Sequence, residues 1–448
     1  MSEPSSPPRS APVEAQPPLP AYAPQPVFDA LPERSRWRYA PRRASRLWRS
    51  RALRVGGLIT LLALCGLVIL ALVREQTGTR GFLVGLGLAT LPVPLLLAAF
   101  RWLDRVEPGP WRHLAFAFAW GAFAAALVAL TANTFAARWI ATATADPSSA
   151  DTLGATVVAP VVEESAKAAA VFLLFFFRRR DFTGLVDGVV VAGFTATGFA
   201  FTENILYLGR AFDDDQSTGS AGFESMTAAT FFVRIVMSPF AHPLFTVLTG
   251  IGFGLAALAA RRRRFRRTAL PLLGLVLAMG MHALWNGSTS MLGPFGFYAV
   301  YALIMVPVFA LLTWLTIWSR QRELRTVSTA LPAYAAAGWL ASAEPTALAS
   351  MRARTAARDF ARRTQGAAAA HAVSEYQRFA TSLAFLRHRA QRGTVDPDFV
   401  AREQELLHHM WRRKDVASPA LTYAARATGA VRVPPPYRDY EGYNPYRA

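Results

Sequence analysis

Five consecutive residues, Glu163 to Lys167, place three ionisable side chains inside an apolar stretch of the chain. Glu163 and Lys167 are four positions apart and share one face of a helix, whereas Glu164 lies about 100° further round. The apolar stretch, residues 153–177, is long enough to cross a bilayer. An ionised side chain at the bilayer centre costs at least about 2.5–3.5 kcal/mol. We therefore expect these side chains to have polar partners on neighbouring segments.

The three apolar segments that follow each supply candidate partners. They are Glu203 with Asn204 in the first, His242 in the second, and His282 with Asn286 in the third. His242 lies between Pro239 and Pro243, which predicts an irregular helix of the kind that membrane interiors tolerate beside a polar cavity. At a helical rise of about 1.5 Å per residue, we expect Glu163, Glu203 and both histidines at middle to outer depths of the bilayer. They can converge there in one bundle.

These residue types suit hydrolysis. Two histidines and one or two glutamates, without cysteine, match a divalent metal such as Zn²⁺ that keeps a ligand position for water. Such a metal lowers the pKa of its water so that it can attack a carbonyl, while a further glutamate acts as general base. Asn286 or Lys167 would stabilise the oxyanion. A metal-free route, in which a glutamate activates water directly, also fits these residues.

The composition is that of a polytopic membrane protein with soluble ends. Of its 448 residues, 53% are hydrophobic, and the mean hydropathy is +0.24. The net charge of +19 comes mostly from arginine in the tails and loops. This pattern is typical of the positive-inside rule, so we expect no nucleic-acid binding. The single cysteine, Cys65, allows neither an intrachain disulfide nor a cysteine-based metal site.

The hydropathy pattern predicts an all-α transmembrane bundle of about eight spans. Their expected ranges are 55–73, 81–100, 113–140, 153–177, 183–208, 228–260, 269–289 and 296–318. With a cytoplasmic N-terminus, the arginine-rich loops 101–112, 178–182 and 261–268 all lie on the cytoplasmic side, and the acidic loop 209–227 lies outside. We therefore expect a multi-pass protein of the cell membrane with both termini in the cytoplasm.

The two ends differ in composition from this membrane domain, residues 46–319. Residues 1–45 are rich in proline, serine and alanine, and predict a disordered tail. Residues 320–448 predict a basic, cytoplasmic, helical tail with a disordered end. Its helices are expected around 346–364, 369–391 and 398–412.

The predicted span 183–208 carries small residues at strict four-residue spacing. The series is Gly184, Gly188, Ala192, Ala196 and Ala200. Such a strip lets another helix approach closely.

Polar motifs occur in a definite order along the predicted spans. They are Glu163-Glu164-x-x-Lys167, Asp187-Gly188, Gly198-Phe199-Ala200-x-x-Glu203-Asn204, His242 and His282-x-x-x-Asn286. Together they resemble the PrsW family of intramembrane proteases, a relative of the CAAX prenyl endopeptidase and Abi superfamily. The resemblance covers about residues 80–318 and neither tail. The chain departs from the family pattern after Asp187-Gly188, where Val190 and Val191 stand in place of an expected tyrosine.

The resemblance implies a protease that cuts a membrane-anchored protein within the lipid bilayer, as family members cut anti-sigma factors in stress signalling. It implies a catalytic set of Glu163, Glu164, His242 and His282, with Glu203 as a further member. We expect the metal ligands to be Glu164, Glu203, His242 and His282, with Glu163, Lys167 and Asn286 completing the catalytic set. If Lys167 holds Glu163 in an ion pair, Glu164 is freer to bind metal or accept a proton, although a kink at Pro160 could bring either into the site.

Two other classes of function remain open. Intramembrane carboxylates and histidines also serve proton-coupled transporters. Many transporters contain inverted repeats, and the halves of this sequence show no convincing internal similarity. A catalytically silent scaffold that acts through the basic C-terminal tail is the second alternative, and the set of polar residues within the membrane argues against it.

Overall fold

The computed structural model describes residues 48–106, 108–144, 151–178, 182, 184–259, 264–291, 293, 295–391 and 398–429. Helices account for most of these residues, and none of them lies in a β-strand, which confirms the all-α prediction. The predicted disordered tail, residues 1–45, and the predicted disordered end beyond residue 429 lie outside the described residues.

The membrane domain is built from mostly apolar helices. In chain order they are α1 (Trp48–Thr90), α2 (Pro92–Leu103), α3 (Trp111–Thr144), α4 (Ala159–Phe177), α5 (Leu185–Thr218), α6 (Met226–Phe231), α7 (Ala241–Leu258), α8 (Arg264–Met291) and α9 (Val306–Ala330). A wider, π-helical turn at Phe232–Met237 continues α6. Residues 154–158 and 296–305 are further helical turns, which lead into α4 and α9.

Six helical stretches in the described part of the chain are long and apolar enough to cross a membrane. They are Val55–Leu103, Trp111–Thr144, Leu185–Thr218, Met226–Leu258, Arg264–Ser288 and Gly296–Ala336. α4 is not among them because three of its 19 residues are charged, yet it packs against α5, α7 and α8. The protein is therefore a multi-pass membrane protein, and the count of eight spans stays a prediction.

The first of these stretches reverses direction at Gly78. The φ of 65° and ψ of 168° at this residue lie outside the helical region, in a conformation that favours glycine. Both flanks reach α5 at one level, since a β-carbon added to Gly209 would lie 2.9 Å from Cβ of Thr77 and 3.0 Å from the carbonyl oxygen of Gly81. The earlier arm runs along α3, where Gly66 meets a phenylalanine ring. α1 and α2 thus supply the two arms that the sequence predicts as separate spans.

α5 is the central helix of the membrane domain and is buried along most of its length. The predicted small-residue strip lies in its closest helix contact. A β-carbon on Gly188 would lie 2.0 Å from the carbonyl oxygen of Gly250 on α7. This contact brings α7 against the same helix that carries Glu203.

The C-terminal residues form a helical module with its own apolar core. Its helices are α10 (Pro332–Ala336), α11 (Glu344–Leu348), α12 (Met351–Gln391), α13 (Phe399–Trp411) and α14 (Lys414–Ala427). The predicted helices at 346–364 and 369–391 form one element, α12, which breaks at Gly366. Helix α14 was not predicted, and it supplies Leu421 and several alanines to the core. The module contacts the membrane domain where Nη1 of Arg354 donates to the carbonyl oxygen of Val106 at 2.9 Å.

Candidate active site

Helix α4 carries the polar centre of the membrane domain. Pro160 lies in its first turn, where the missing N–H and fixed φ of proline are tolerated. Glu163 is 6% exposed, and Glu164 and Lys167 are fully buried. All three contact polar groups on other helices, which confirms that these charges have partners.

Glu164 accepts hydrogen bonds from three directions. Its Oε1 lies 2.8 Å from Nζ of Lys167 and 3.1 Å from Nδ1 of His282. Its Oε2 accepts a hydrogen bond from the hydroxyl of Thr246 at 2.8 Å. The carboxylate therefore ties α4 to α7 and α8. The expectation that Glu164 is the freer of the two glutamates is wrong in this geometry, because side chains three residues apart on a helix also meet.

Glu163 makes longer contacts. Its Oε2 lies 3.4 Å from Nζ of Lys167 and 3.9 Å from Nε2 of His282. Its Oε1 lies 3.4 Å from the side-chain amide of Asn133 on α3. These distances are at or beyond the outer limit of a hydrogen bond. Glu163 is therefore the less constrained glutamate of the pair.

The ammonium of Lys167 lies at the centre of the cluster. Besides the two carboxylates, it lies 3.2 Å from Nδ1 of His242 and 3.9 Å from the centroid of the Phe199 ring. An ammonium has three N–H donors, so the neighbouring acceptors occupy all of them. Two adjacent carboxylates compensate for the cost of burying this charge.

His242 stands at the beginning of α7, directly after a break in the helix. Ser238, with φ −128° and ψ 41°, ends the π-helical turn, and α7 starts at Ala241. This confirms the irregular helix predicted around Pro239. The Nε2 atom of His242 lies 2.6 Å from Oε2 of Glu203.

Arg234 holds Glu203 in place from the π-helical turn before this break. Its Nη2 donates to Oε2 of Glu203 at 2.6 Å, and its Nε donates to the amide oxygen of Asn204 at 2.8 Å. Its guanidinium also lies 4.0 Å from the centroid of the Tyr207 ring. Sequence reasoning placed Arg234 near the site without a role. The signal that could have found it is an arginine inside an apolar segment, which needs an acidic partner.

Sequence reasoning also missed three supporting residues. Thr246 and Asn133 donate to the two glutamates, as described above. Phe245 stacks on the ring of His282, with centroids 4.8 Å apart and planes at 17°. Hydroxyls, amides and phenylalanines are common in membrane helices, so their types alone gave no distinctive signal.

Two residues of the sequence motifs have their closest polar contacts elsewhere. The side-chain amide of Asn286 donates to the carbonyl oxygen of Ala155 at 2.9 Å. The carboxylate of Asp187 accepts from the backbone N–H of Gly184 at 3.0 Å, which caps the start of α5. The predicted oxyanion role of Asn286 therefore requires its side chain to leave Ala155.

Glu163, His242 and His282 can together hold a metal ion, because each offers a ligand atom within 4.8 Å of the other two. Two imidazoles and one carboxylate suit zinc or a similar divalent ion. Tetrahedral bonds of about 2.0–2.2 Å hold ligand atoms about 3.3–3.6 Å apart, so the group must close by about 1 Å on binding. The other nitrogens of the two histidines face carboxylates, which is the usual arrangement behind a metal-bound imidazole.

The fold and the cluster define a multi-pass membrane protein with a buried carboxylate and imidazole site. Residues 109–312 match the family model of the PrsW family intramembrane metalloproteases. This segment contains the whole cluster, and the match supports a place for the chain in that family, as the motif order predicts. No curated protein and no solved structure shows a significant match.

Proposed function

We propose that this protein is an intramembrane metalloprotease that hydrolyses a peptide bond in a membrane-anchored protein. The observation that carries the proposal is the convergence of Glu163, Glu164, His242 and His282 from three helices, within the segment that matches the protease family. The family match also favours hydrolysis over the transporter and scaffold alternatives.

The geometry favours a different division of roles from the one predicted from the sequence. We assign Glu163, His242 and His282 as the ligands of a divalent ion, with Zn²⁺ as the leading candidate. Glu164 and Glu203 then act as positioning residues, since each faces the other nitrogen of one histidine. Both were predicted as ligands, but their oxygens already accept hydrogen bonds from Lys167, Thr246 and Arg234.

A bound divalent ion would supply Lewis acidity that polarises the scissile carbonyl and activates water. The chain's own residues orient the groups around it. Lys167 neutralises the paired carboxylates, and its occupied donors favour a positioning role over oxyanion stabilisation. In the metal-free alternative, Glu163 accepts the proton of the attacking water, because it is the glutamate with the longest contacts. Metal analysis of the Glu163→Gln variant separates the two routes.

Several finer features belong to the same proposal. The substrate is a single-span signalling protein of the anti-sigma-factor type, and the enzyme lies in the cell membrane with eight spans and both termini in the cytoplasm. The relation to the CAAX prenyl endopeptidase and Abi superfamily is part of this proposal. The motif order and the arginine-rich loops support these features.

The direct test uses purified full-length protein reconstituted in liposomes with single-span membrane proteins, and mass spectrometry of new peptide termini. His282→Ala and Glu164→Gln should abolish cleavage while the melting temperature still shows a cooperative transition. Glu75→Gln, which changes an exposed glutamate of α1, should cleave as the unchanged protein does. Equal cleavage by all four proteins would refute the proposal.

A further inference from the structure

A second polar cavity lies at the boundary between the last membrane helix and the C-terminal module. It has a volume of about 280 Å³ and lies between the end of α9 and His388 of α12. Its walls include Trp318, Arg322 and Arg325, together with one glutamine and two threonines. None of its lining residues carries a carboxylate. The cavity shares no residue with the protease cluster.

The arginines of this cavity have no acidic partner among the described residues. Glu323 lies between them in sequence but does not line the cavity. The guanidinium of Arg322 lies 5.3 Å from the centroid of the Trp318 ring, a contact that orients the group without using its N–H donors. Arg325 is exposed. The cavity therefore presents two guanidinium groups whose charge is not neutralised by a neighbouring side chain.

The cavity lies at the level where the membrane domain meets water. Three pairs of arginine and tryptophan occur at this end of the bundle: Arg101 with Trp111, Arg320 with Trp102, and Arg322 with Trp318. Tryptophan is enriched at membrane interfaces, and arginine is enriched on their cytoplasmic side. A ligand in the cavity would therefore lie at headgroup depth, beside the end of an apolar helix.

We propose that this cavity binds the phosphate of a phosphoester, with Arg322 and Arg325 as its cationic ligands. Guanidinium groups match phosphate oxygens in geometry and charge. The side-chain amide of Gln321, which also lines the cavity, is a further donor. The headgroup of an anionic phospholipid and free phosphate share this chemistry, and the depth of the cavity favours the lipid. Such a ligand would bridge the membrane domain and the C-terminal module.

The test measures ligand binding to purified full-length protein in a neutral detergent. The probes are dioctanoyl phosphatidylglycerol and inorganic phosphate, titrated separately by calorimetry. The test variant is Arg322→Gln with Arg325→Gln. The matched control is Arg362→Gln with Arg363→Gln, an exposed pair on α12 outside the cavity. Melting temperatures without ligand report whether each protein is folded, and Arg325→Gln alone replaces the double variant if that variant unfolds.

The unchanged protein and the control pair should bind phosphatidylglycerol with similar affinity, and the test variant should bind about 10- to 30-fold more weakly. Binding of the lipid without inorganic phosphate would identify a headgroup site, and arginine-dependent binding of both probes would identify a general phosphate site. Either result supports the proposal. Equal lipid binding by the test variant and the unchanged protein would overturn it, as would an equal loss in the control pair.

Discussion

The Nδ1 atom of His282 lies 3.1 Å from Oε1 of Glu164, although the two residues are 118 positions apart in the chain. Both side chains are almost completely buried. The same oxygen lies 2.8 Å from the ammonium of Lys167. One carboxylate oxygen thus joins an imidazole on α8 to an ammonium on α4. The orientation of His282, and with it the geometry of the site, depends on Glu164.

The first prediction concerns the stability of this buried ion pair. Glu164→Gln leaves the Lys167 ammonium with only the longer contact to Glu163, and should lower the free energy of unfolding by about 3–5 kcal/mol. Adding Lys167→Met removes the uncompensated charge and should restore part of that loss. Denaturant unfolding of the single and double variants measures the coupling. If the losses of the two single variants simply add in the double variant, the two side chains are not coupled as described.

The second prediction concerns metal content. Glu163→Gln, His242→Ala and His282→Ala should each reduce the affinity for a divalent ion by at least about tenfold, because each removes a proposed ligand. Glu203→Gln removes a positioning carboxylate and should reduce it about 10- to 100-fold at most. Metal analysis of purified protein after dialysis gives the comparison. His371→Ala, at an exposed histidine of the C-terminal module, is the control. Unchanged metal content in all three ligand variants would exclude this ligand set.

The third prediction concerns pH and Asp104, which lies between α2 and α3 outside the membrane spans. Burial, with a further contribution from Asp187, raises the pKa of Asp104 from 3.8 to about 7, against the opposing effect of Arg101. His113 and Arg178 line the same small cavity. Since the pKa is raised in the folded state, the stabilising contribution is complete below about pH 4 and is lost as the pH rises to about 7.

Asp104→Asn keeps an acceptor for the backbone N–H of Gly109 but removes the ionisation. The melting temperature of the unchanged protein should therefore fall relative to that of the variant between about pH 4 and pH 7, with little further change above this range. Parallel pH profiles for the two proteins would contradict the assignment.

The fourth prediction concerns the contact between α5 and α7. Gly188→Ala places a β-carbon 2.0 Å from a backbone oxygen of Gly250. Because neither backbone can yield without separating the helices, the substitution should lower the melting temperature strongly and reduce activity. Gly87→Ala, where nothing lies within 4 Å of the added atom, should be neutral or stabilise by up to about 1 kcal/mol. A similar effect of both substitutions would show that the close contact is unimportant.

The sequence predicted the membership of the cluster better than its internal contacts. Ionisable residues in apolar segments must find one another, and this requirement alone brought Glu163, Glu203, His242 and His282 together. The partner of each oxygen depends on the rotation of each helix, and spacings of three and four residues are both compatible with contact. Sequence reasoning therefore could not determine that Glu164, rather than Glu163, makes the shorter contact with Lys167.

The C-terminal module was the least predictable part of the fold. Its alanine-rich helices have weak hydrophobic patterns, and Pro419 lies inside α14, where proline normally argues against a helix. Buried polar pairs stabilise its core in a way that the sequence pattern does not reveal. The hydroxyl of Tyr376, for example, donates to Glu344, and burial together with this carboxylate raises the pKa of that tyrosine.

A comparison of membrane-protein termini in cells tests the central claim most directly. Cells would produce the unchanged protein, Glu163→Gln, His282→Ala or the control Glu75→Gln at equal levels. We predict that new termini within or beside a single transmembrane segment occur with the unchanged protein and Glu75→Gln, and disappear with the two site variants. The same termini in all four samples would show that the cluster of Glu163 and His282 does not cleave peptide bonds.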